Sequence, residues 1–235
     1  MLEIIYEDEQ LIAINKPSGL LVHRTSIAAD EQAEFAIQKL RDQIGCHVHP
    51  AHRIDRPTSG ILLFSKTKES LPLLKAQFAE RMVHKNYLAL VRGHLSEKKG
   101  TIDYPLENER SKKLQEAVTD FSVVEEIEIP YDTTGRYPTS RYSLIMMSPK
   151  TGRTHQIRRH LAHLRHYILG DKKHGNNKQN HFFFEEFGLE NLLLHAYQLE
   201  LKQPYQNETI ALRAPIPVHF RTILHKIGMN YHQFI

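Results

Sequence analysis

The sequence lacks the features of a secreted or membrane-spanning protein. Cys46 is its one cysteine, so no disulfide forms within the chain and a reducing compartment is expected. No apolar run approaches the ~20 residues that a membrane-spanning helix needs. The first ten residues, MLEIIYEDEQ, carry acids where a secretory signal carries basic residues. We therefore expect a soluble cytoplasmic protein with no membrane partner.

Signatures of several common enzyme classes are also absent. The sequence contains neither G-x-x-x-x-G-K-[S/T] nor G-x-G-x-x-G, the loops that cradle nucleotide phosphates, and no G-x-S-x-G elbow of a serine hydrolase. Sixteen histidines raise the possibility of a metal site, but H-E-x-x-H and a cysteine pair are missing. We therefore expect no nucleotide cofactor and no metal, and interpret the histidines as surface groups, phosphate contacts or partners of backbone groups.

What is present is the composition of an ordinary globular protein. The chain has 235 residues, of which 40% are hydrophobic and 25% charged. That length suits one large domain or two small ones with a real core. The formal net charge of +4 permits a polyanionic partner without requiring one, so the distribution of charge matters more than its total.

Short strand-like runs alternate with helical patterns along the chain. Alternating or continuous apolar runs predict strands at 2–16, 60–67, 85–93, 101–128, 139–147, 191–201 and 208–214. Helical spacing predicts helices at 31–44, 68–80, 151–166 and 216–228, and the polar, Gly- and Asn-rich segment 170–184 predicts a loop. Mixed elements of this kind favour an α+β fold, with a central mixed or antiparallel sheet flanked by helices and loops.

Positive charge is concentrated in one segment. Residues 150–173 contain seven lysines and arginines and one acid, whereas residues 103–128 contain eight acids and three basic residues. A solvated helix face would explain any single basic run. If the fold brings this zone beside Arg24, Arg53 and Arg56, the combined surface is suited to a phosphate backbone.

The stretch AHRIDRPTSG, residues 51–60, places a carboxylate, Asp55, between Arg53 and Arg56. Asp55 could cap backbone amides, as aspartates in turns commonly do. Its position after an apolar residue, before Pro57 and at the entrance of a predicted strand instead favours a rigidly held reactive group. A carboxylate that a neighbouring guanidinium keeps ionised can serve as nucleophile or base.

Three stretches together resemble the RluA-type pseudouridine synthases. They are HRIDRPTSG at 52–60, KNYLALVRG at 85–93 and TGRTHQIRRHL at 151–161, followed by ILGD at 168–171 and LLLHA at 192–196. Ile54 stands where the family usually has leucine. Further stretches, among them KPSGLLVHR, GRYPTSRY and GDKKHGNNKQN, resemble the branch of the family that modifies uridine 65 in the T-stem of tRNA.

The resemblance implies roles for individual residues. Asp55 matches the catalytic aspartate, and Arg53 matches a basic residue that enters the helix stack when the target base leaves it. Tyr87 matches an active-site tyrosine that stacks on the flipped uracil, and Arg158 matches the basic residue paired with the aspartate. Residues of an apolar pocket wall are implied at Leu192, Leu193 and Leu194, and RNA contacts are assigned to Arg53, Arg56, Arg153, Arg159, Arg165, Lys172 and Lys173.

The implied protein is an isomerase that acts on tRNA by base flipping, as a monomer and without a cofactor. The resemblance implies one catalytic domain over 1–235, without a small N-terminal RNA-binding module. Three alternatives stay open at this point: a ribosomal RNA substrate, a non-catalytic RNA-binding protein of the same fold, and a metal-dependent nuclease or hydrolase built on the histidines.

Overall fold

The computed structural model describes residues 1–22, 35–133, 135–206 and 208–234. Arg24, and residues 31–34 of the first expected helix, lie outside these ranges. The strands are β1 (Glu3–Glu7), β2 (Leu11–Lys16), β3 (His49–Pro50), β4 (Ser59–Ser65), β5 (His84–Arg92), β6 (Lys99–Asp103), β7 (Leu106–Glu107), β8 (Leu114–Gln115), β9 (Val118–Ile129), β10 (Ser140–Pro149), β11 (Leu194–Lys202) and β12 (Thr209–Arg213). The helices are α1 (Ala36–Ile44), α2 (Ser70–Ala79), α3 (Gln156–His163), α4 (Asn177–Phe187) and α5 (Val218–Lys226), and a 3₁₀ turn follows at His232–Phe234.

These elements make an α+β protein, as the sequence predicts. The chain folds as two compact units, the first from Met1–Lys85 and Ala196–Pro215 and the second from Asn86–His195 and Ile216–Ile235. The expectation of one catalytic domain over 1–235 stays a prediction. Within the described ranges, no helix has the length and apolar character needed to cross a membrane.

The first unit buries both faces of its sheet. Strands β2 and β4 pair antiparallel, and their side chains alternate between the two faces, as strand geometry requires. Leu11 and Leu63 belong to one core cluster, together with Leu74 of α2. Ile12 and the other alternate residues face a second cluster, which contains Leu40 of α1. A helix therefore contributes to the core on each face, which explains why residues 61–64 of β4 are apolar without interruption and why the whole strand is buried.

The second unit is built on the strand order β5-β10-β9-β6, in which the pairs are antiparallel. Ala89 and Val91 of β5 share a core cluster with Ile157 and Leu161 of α3. The two helix residues are four positions apart, so they lie on the same face of α3. This packing fixes the orientation of α3 against its sheet.

One helix prediction and one loop prediction need correction. The helix expected at 151–166 begins only at Gln156, because His155 adopts a left-handed conformation with φ of 55°. The same helix ends at His163, and Leu164 at its C-cap is exposed. The loop expected at 170–184 is wrong from residue 177 onward, because α4 begins there, with the Asn176 side chain accepting a hydrogen bond from the Gln179 N–H.

Candidate active site

The loop that carries Asp55 is fastened to the residues that follow β2. The Gly19 N–H donates to the Arg56 carbonyl at 2.9 Å, and the Arg56 Nε donates back to the Gly19 carbonyl at 2.9 Å. The Ser18 hydroxyl donates to the Pro57 carbonyl at 2.7 Å. Asp55 itself is half-buried. These reciprocal bonds hold the backbone immediately after Asp55 in one place.

Lys16 is the most unusual residue of this loop region, because its side chain is fully buried. Its Nζ donates to the carbonyls of Pro17, Leu20 and Arg56 at 2.8, 2.9 and 3.1 Å. Burial lowers the pKa of Lys16 to about 7, although the negative charge of Asp55 opposes this shift. Three carbonyl acceptors require three N–H donors, which only the ammonium form supplies. Lys16 therefore ties both segments together and places a cation near Asp55.

Two further residues fix the entry into β4. A Cβ on Gly60, whose φ is +107°, would lie 2.3 Å from the Ala196 carbonyl oxygen, so glycine is required there. The His52 Nε2 accepts a hydrogen bond from the Leu63 N–H at 3.1 Å, and its ring stacks on Phe78. Burial lowers the pKa of His52 to about 3, so the ring is neutral and serves as a backbone partner.

In the second unit, Arg158 forms a buried ion pair with Asp171. The Arg158 Nε and Nη2 donate to the two Asp171 carboxylate oxygens at 2.7 and 2.8 Å, and both side chains are buried. Burial alone would raise the pKa of Asp171, but the hydrogen bonds from Arg158, His174 and Lys173 outweigh it and hold that pKa below its usual value. The guanidinium is therefore held in a fixed plane by a fork-to-fork contact.

The start of α3, which carries Arg158, is held by a buried glutamine. The Gln156 Oε1 accepts from the Thr151 hydroxyl at 2.7 Å and from the Arg153 N–H at 2.9 Å. Its Nε2 donates to the Val118 carbonyl at 3.0 Å and to the Thr119 hydroxyl at 2.9 Å. Four bonds from one side chain replace the regular cap that α3 lacks.

A histidine pair lies beside the ion pair. The His155 Nδ1 and His174 Nε2 are 2.9 Å apart. Burial, and then the positive charge of Arg158, lower the pKa of His174 to about 4. This ring is therefore neutral at physiological pH. Among the described residues no group of three or more His, Cys, Asp or Glu side chains could hold a metal ion.

Tyr87 and the expected pocket wall also belong to the second unit. Tyr87, on β5 opposite Met147 of β10, is half-buried and packs against the core cluster that contains Leu192 and Leu194. The Leu193 carbonyl accepts a hydrogen bond from the Leu90 N–H at 3.1 Å. The catalytic role of Tyr87 and the pocket-wall role of the three leucines stay predictions, as does pairing of Arg158 with Asp55.

The remaining basic candidates fall into two groups. Arg153 and Arg159 donate to the carbonyls of Glu116 and Glu107 at 2.8 and 2.9 Å, so each contributes to local structure whatever else it binds. The side chains of four candidates are exposed, and Lys173 pairs with Glu109 at 2.8 Å. These four are Arg53, Arg165, Lys172 and Lys173. Their contact with RNA stays a prediction.

Sequence reasoning missed two residues that the structure makes prominent. Lys16 was part of a recognised stretch, but nothing in its neighbours indicated a buried ammonium. Asp171 was the acid of the basic segment, and an isolated acid among seven cations was the available signal for a buried pair.

Comparisons with known proteins decide the family. Residues 10–163 match the family described as RNA pseudouridylate synthase. The chain belongs to this family. It is therefore an isomerase, and the predicted resemblance is confirmed.

Curated relatives and solved structures agree with this family. The chain is 47% identical to tRNA pseudouridine synthase C of Vibrio parahaemolyticus, over 92% of this chain and 90% of that protein. It is 45% identical to tRNA pseudouridine synthase C of Haemophilus ducreyi, over 99% and 98%. The structure of Human RNA Pseudouridylate Synthase Domain Containing 4 matches with a TM-score of 0.74 at 25% identity, covering 97% of this chain and 94% of that one. Both curated relatives are thus named as tRNA pseudouridine synthase C, whereas modification of uridine 65 by this chain stays a prediction.

Proposed function

We propose that this protein converts a uridine of tRNA to pseudouridine, at position 65 in the T-stem. The tRNA substrate is supported by the names of relatives that match nearly the whole chain. The observation that carries the chemistry is the half-buried Asp55 on a loop fastened by Lys16 and by the bonds between Gly19 and Arg56. A rigid carboxylate of this kind suits repeated attack at one geometry.

The proposed reaction exchanges one bond to the ribose for another. Asp55 promotes cleavage of the bond between C1′ of the ribose and N1 of uracil, the detached uracil rotates, and C1′ bonds to C5. The hydrogen on C5 leaves as a proton and N1 gains one, so the product is an isomer of the substrate. The exchange is redox-neutral and transfers no group from outside, so it needs no cofactor. The atoms and protons of substrate and product balance in the same way whether Asp55 forms a covalent adduct or helps to form a glycal intermediate.

Two further residues, Arg53 and Tyr87, are proposed to make the uridine accessible, and a third, Arg158, to assist the reaction. A uridine within a stem must leave the helix stack, at a cost of a few kcal/mol. Arg53, which is exposed on the Asp55 loop, fills the gap and contacts phosphate. Tyr87 stacks on the everted uracil, which recovers about 1–3 kcal/mol. Arg158, held by Asp171, supplies a fixed positive charge to the reaction.

Mapping of pseudouridine in tRNA and ribosomal RNA tests the proposal. RNA from cells that lack the protein is treated with the wild-type chain, with Asp55→Asn and with Asp42→Asn. Asp42 is an exposed aspartate of α1 whose contact is with Gln38 at 2.7 Å, so it is a matched control in the same unit. We expect wild type and Asp42→Asn to form pseudouridine at tRNA position 65 and Asp55→Asn to form none.

The alternatives predict different maps. Modification confined to ribosomal RNA would overturn the tRNA assignment, and full activity of Asp55→Asn would overturn the role of the carboxylate. A wild-type chain that binds tRNA but modifies no RNA would be a non-catalytic RNA-binding protein. Thermal unfolding of each variant shows that a loss of activity is not a loss of fold.

A further inference from the structure

A concave basic surface lies on the second unit, where β10 begins. One cavity of about 500 Å³ is lined by Arg92, Gly93, Tyr137, Pro138, Thr139, Ser140, Arg141, Arg165 and His166. A second, of about 280 Å³, is lined by Arg92, Thr133, Arg136, Tyr137, Asn176, Lys178 and Gln179. The two share Arg92 and Tyr137, and we call them together the β10 groove. Arg165 is expected from the sequence to contact RNA. Most other groove residues lie in the stretches GRYPTSRY and GDKKHGNNKQN, and the sequence predicts no individual role for any of them.

Positive charge dominates the β10 groove. Five of its lining residues are permanent cations at neutral pH: Arg92, Arg136, Arg141, Arg165 and Lys178. In the described part of the chain, the acids Glu128 and Asp132 lie next to it and each accepts a hydrogen bond: Glu128 from the Arg141 Nε at 2.9 Å, and Asp132 from the Gly135 N–H at 2.5 Å. Neither acid lines the cavities. Since the cations outnumber these acids, the groove favours an anionic ligand.

The floor of the groove is held by backbone bonds. The Arg92 N–H donates to the Tyr167 carbonyl at 3.0 Å, the Arg92 carbonyl lies 3.0 Å from the His166 Nδ1, and the Gly93 N–H donates to the Arg141 carbonyl at 2.7 Å. A Cβ on Gly93, where φ is +85°, would lie 3.2 Å from that same Nδ1. The floor therefore approaches the His166 ring as closely as glycine allows.

The wall of the groove has a buried polar base. The Ser140 hydroxyl donates to the Tyr131 carbonyl at 2.8 Å, and the Gln179 Nε2 donates to the Thr133 hydroxyl at 2.7 Å. The buried Tyr142 hydroxyl donates to the Gln179 Oε1 at 2.7 Å. Because this network holds Tyr131 and Thr133 on one side and Ser140 on the other, the cations above it are presented from a fixed support.

Tyr137 adds an aromatic surface between these cations. Its side chain is 67% exposed, although it lines both cavities. An accessible tyrosine between arginines is the arrangement that binds a nucleic-acid backbone together with an unpaired base, since the ring stacks on any base while guanidinium groups pair with phosphates.

We propose that the β10 groove is a second RNA-binding site, which holds the phosphodiester backbone of the substrate and stacks one unpaired base on Tyr137, away from the reacting uridine. The inference rests on the proposed function for the identity of the RNA. Unpaired bases occur in the loops of a folded tRNA rather than in its stems, so the groove selects for the folded molecule. It contributes affinity for the substrate and leaves bond exchange to other residues.

Binding of the full chain to a tRNA transcript, measured at several KCl concentrations, tests this proposal. For Arg136→Ala combined with Arg165→Ala we expect Kd to rise about tenfold at physiological salt and the slope of log K against log salt to flatten by about 1–2, because each lost phosphate contact removes roughly 0.7–0.9. Tyr137→Ala raises Kd about fivefold, and Tyr137→Phe restores it because the ring still stacks.

The matched control is Arg221→Ala, which removes an exposed arginine from α5 outside the groove and should leave Kd unchanged. A double variant that binds tRNA as tightly as Arg221→Ala would overturn the proposal. If the groove instead binds an acidic protein, the double variant should lose binding to poly-glutamate while its affinity for tRNA stays unchanged. That result would also overturn the proposal. If the groove variants lose affinity for tRNA while the wild-type protein forms no pseudouridine, the RNA-binding role of the groove is supported and the proposed function is overturned.

Discussion

Of the lysines and arginines that the structure describes, each unit buries one, and the two units stabilise that cation by different means. In the first unit the Lys16 ammonium is surrounded by three backbone carbonyls within 3.1 Å. In the second unit the Arg158 guanidinium meets the Asp171 carboxylate in two parallel hydrogen bonds. One cation is thus stabilised by dipoles and the other by a full opposite charge.

The difference determines which of the two can lose its charge. Carbonyl dipoles offset only part of the cost of removing an ammonium from water, and burial lowers the pKa of Lys16 to about 7. A guanidinium remains protonated in any protein environment, and the same contact keeps the pKa of Asp171 low. The charge on Lys16 in the first unit therefore changes with pH near neutrality, whereas the charge on Arg158 in the second unit does not.

Removing the opposite charge from the second unit has the largest expected effect. Asp171→Asn leaves Arg158 buried without a compensating charge, so we expect a loss of about 3–5 kcal/mol in the free energy of unfolding. Turnover should fall as well, because the guanidinium loses its fixed plane. Urea unfolding measures the first effect and single-turnover assays the second.

Two further variants separate charge from geometry in that pair. Arg158→Lys keeps the charge but not the planar fork, so it should lose much of the turnover while losing less stability than Asp171→Asn. Asp120→Asn removes an aspartate from an exposed pair with Lys150 at 3.0 Å and should behave as wild type. Near-normal turnover of Arg158→Lys would contradict a role for the fork in the reaction.

Removing the cation of the first unit is expected to have the next largest effect. Lys16→Met leaves the carbonyls of Pro17, Leu20 and Arg56 without their donor, and we expect a loss of about 2–4 kcal/mol, since each buried unsatisfied group costs roughly 1–3 kcal/mol and some regain water. Turnover should fall too, because the backbone after Asp55 is released. Lys75→Met, at an exposed position of α2, is the control, and equal stability of the two variants would refute this view of Lys16.

The sequence predicted the strands of the first unit better than its buried cation. The continuous apolar runs in β2 and β4 reflect two covered faces, and a local pattern of that kind is visible without the fold. The partners of Lys16 come from residues 17–20 and from Arg56, about 40 positions away in the chain. A lysine at a strand end next to proline predicts exposure, and only the meeting of two loops reverses that expectation.

In the second unit, too, the sequence does not predict a feature that depends on tertiary contacts. Segment 170–184 looked like a flexible loop because Gly, Asn and Lys dominate its composition. The structure instead begins α4 at Asn177 and buries Phe183 and Phe187, four positions apart, along one side of it. Asp171 precedes this helix and is fixed by Arg158 from α3. The motifs therefore predict roles for Asp55 and Arg158, whereas the groups that hold these two residues depend on tertiary contacts.

Acid should weaken the first unit through His52, a histidine that is neutral in the folded protein. The folded pKa of His52 is about 3 and its ordinary value is 6.5, so the unfolded chain binds more protons between these values. Stability should therefore fall as pH falls below about 6.5, and rise again toward neutrality. In His52→Gln the amide oxygen can still accept a hydrogen bond from the Leu63 N–H. The number of protons taken up on unfolding, which sets the slope of stability against pH, should be smaller by about one in this variant. Urea midpoints from pH 4 to 7.5 measure it, and an unchanged slope would rule His52 out as a source.

The smallest expected effect comes from an ion pair that lies at the surface of the second unit. Glu109 and Lys173 are 2.8 Å apart, with about half of each side chain exposed, at 50% and 53%. In water the attraction between them is largely screened, so Glu109→Gln should change the free energy of unfolding by less than about 1 kcal/mol. The same substitution releases Lys173, one of the cations expected to contact RNA, and should therefore strengthen tRNA binding slightly at low salt. A loss as large as that of Asp171→Asn would mean that burial is not what distinguishes the two pairs.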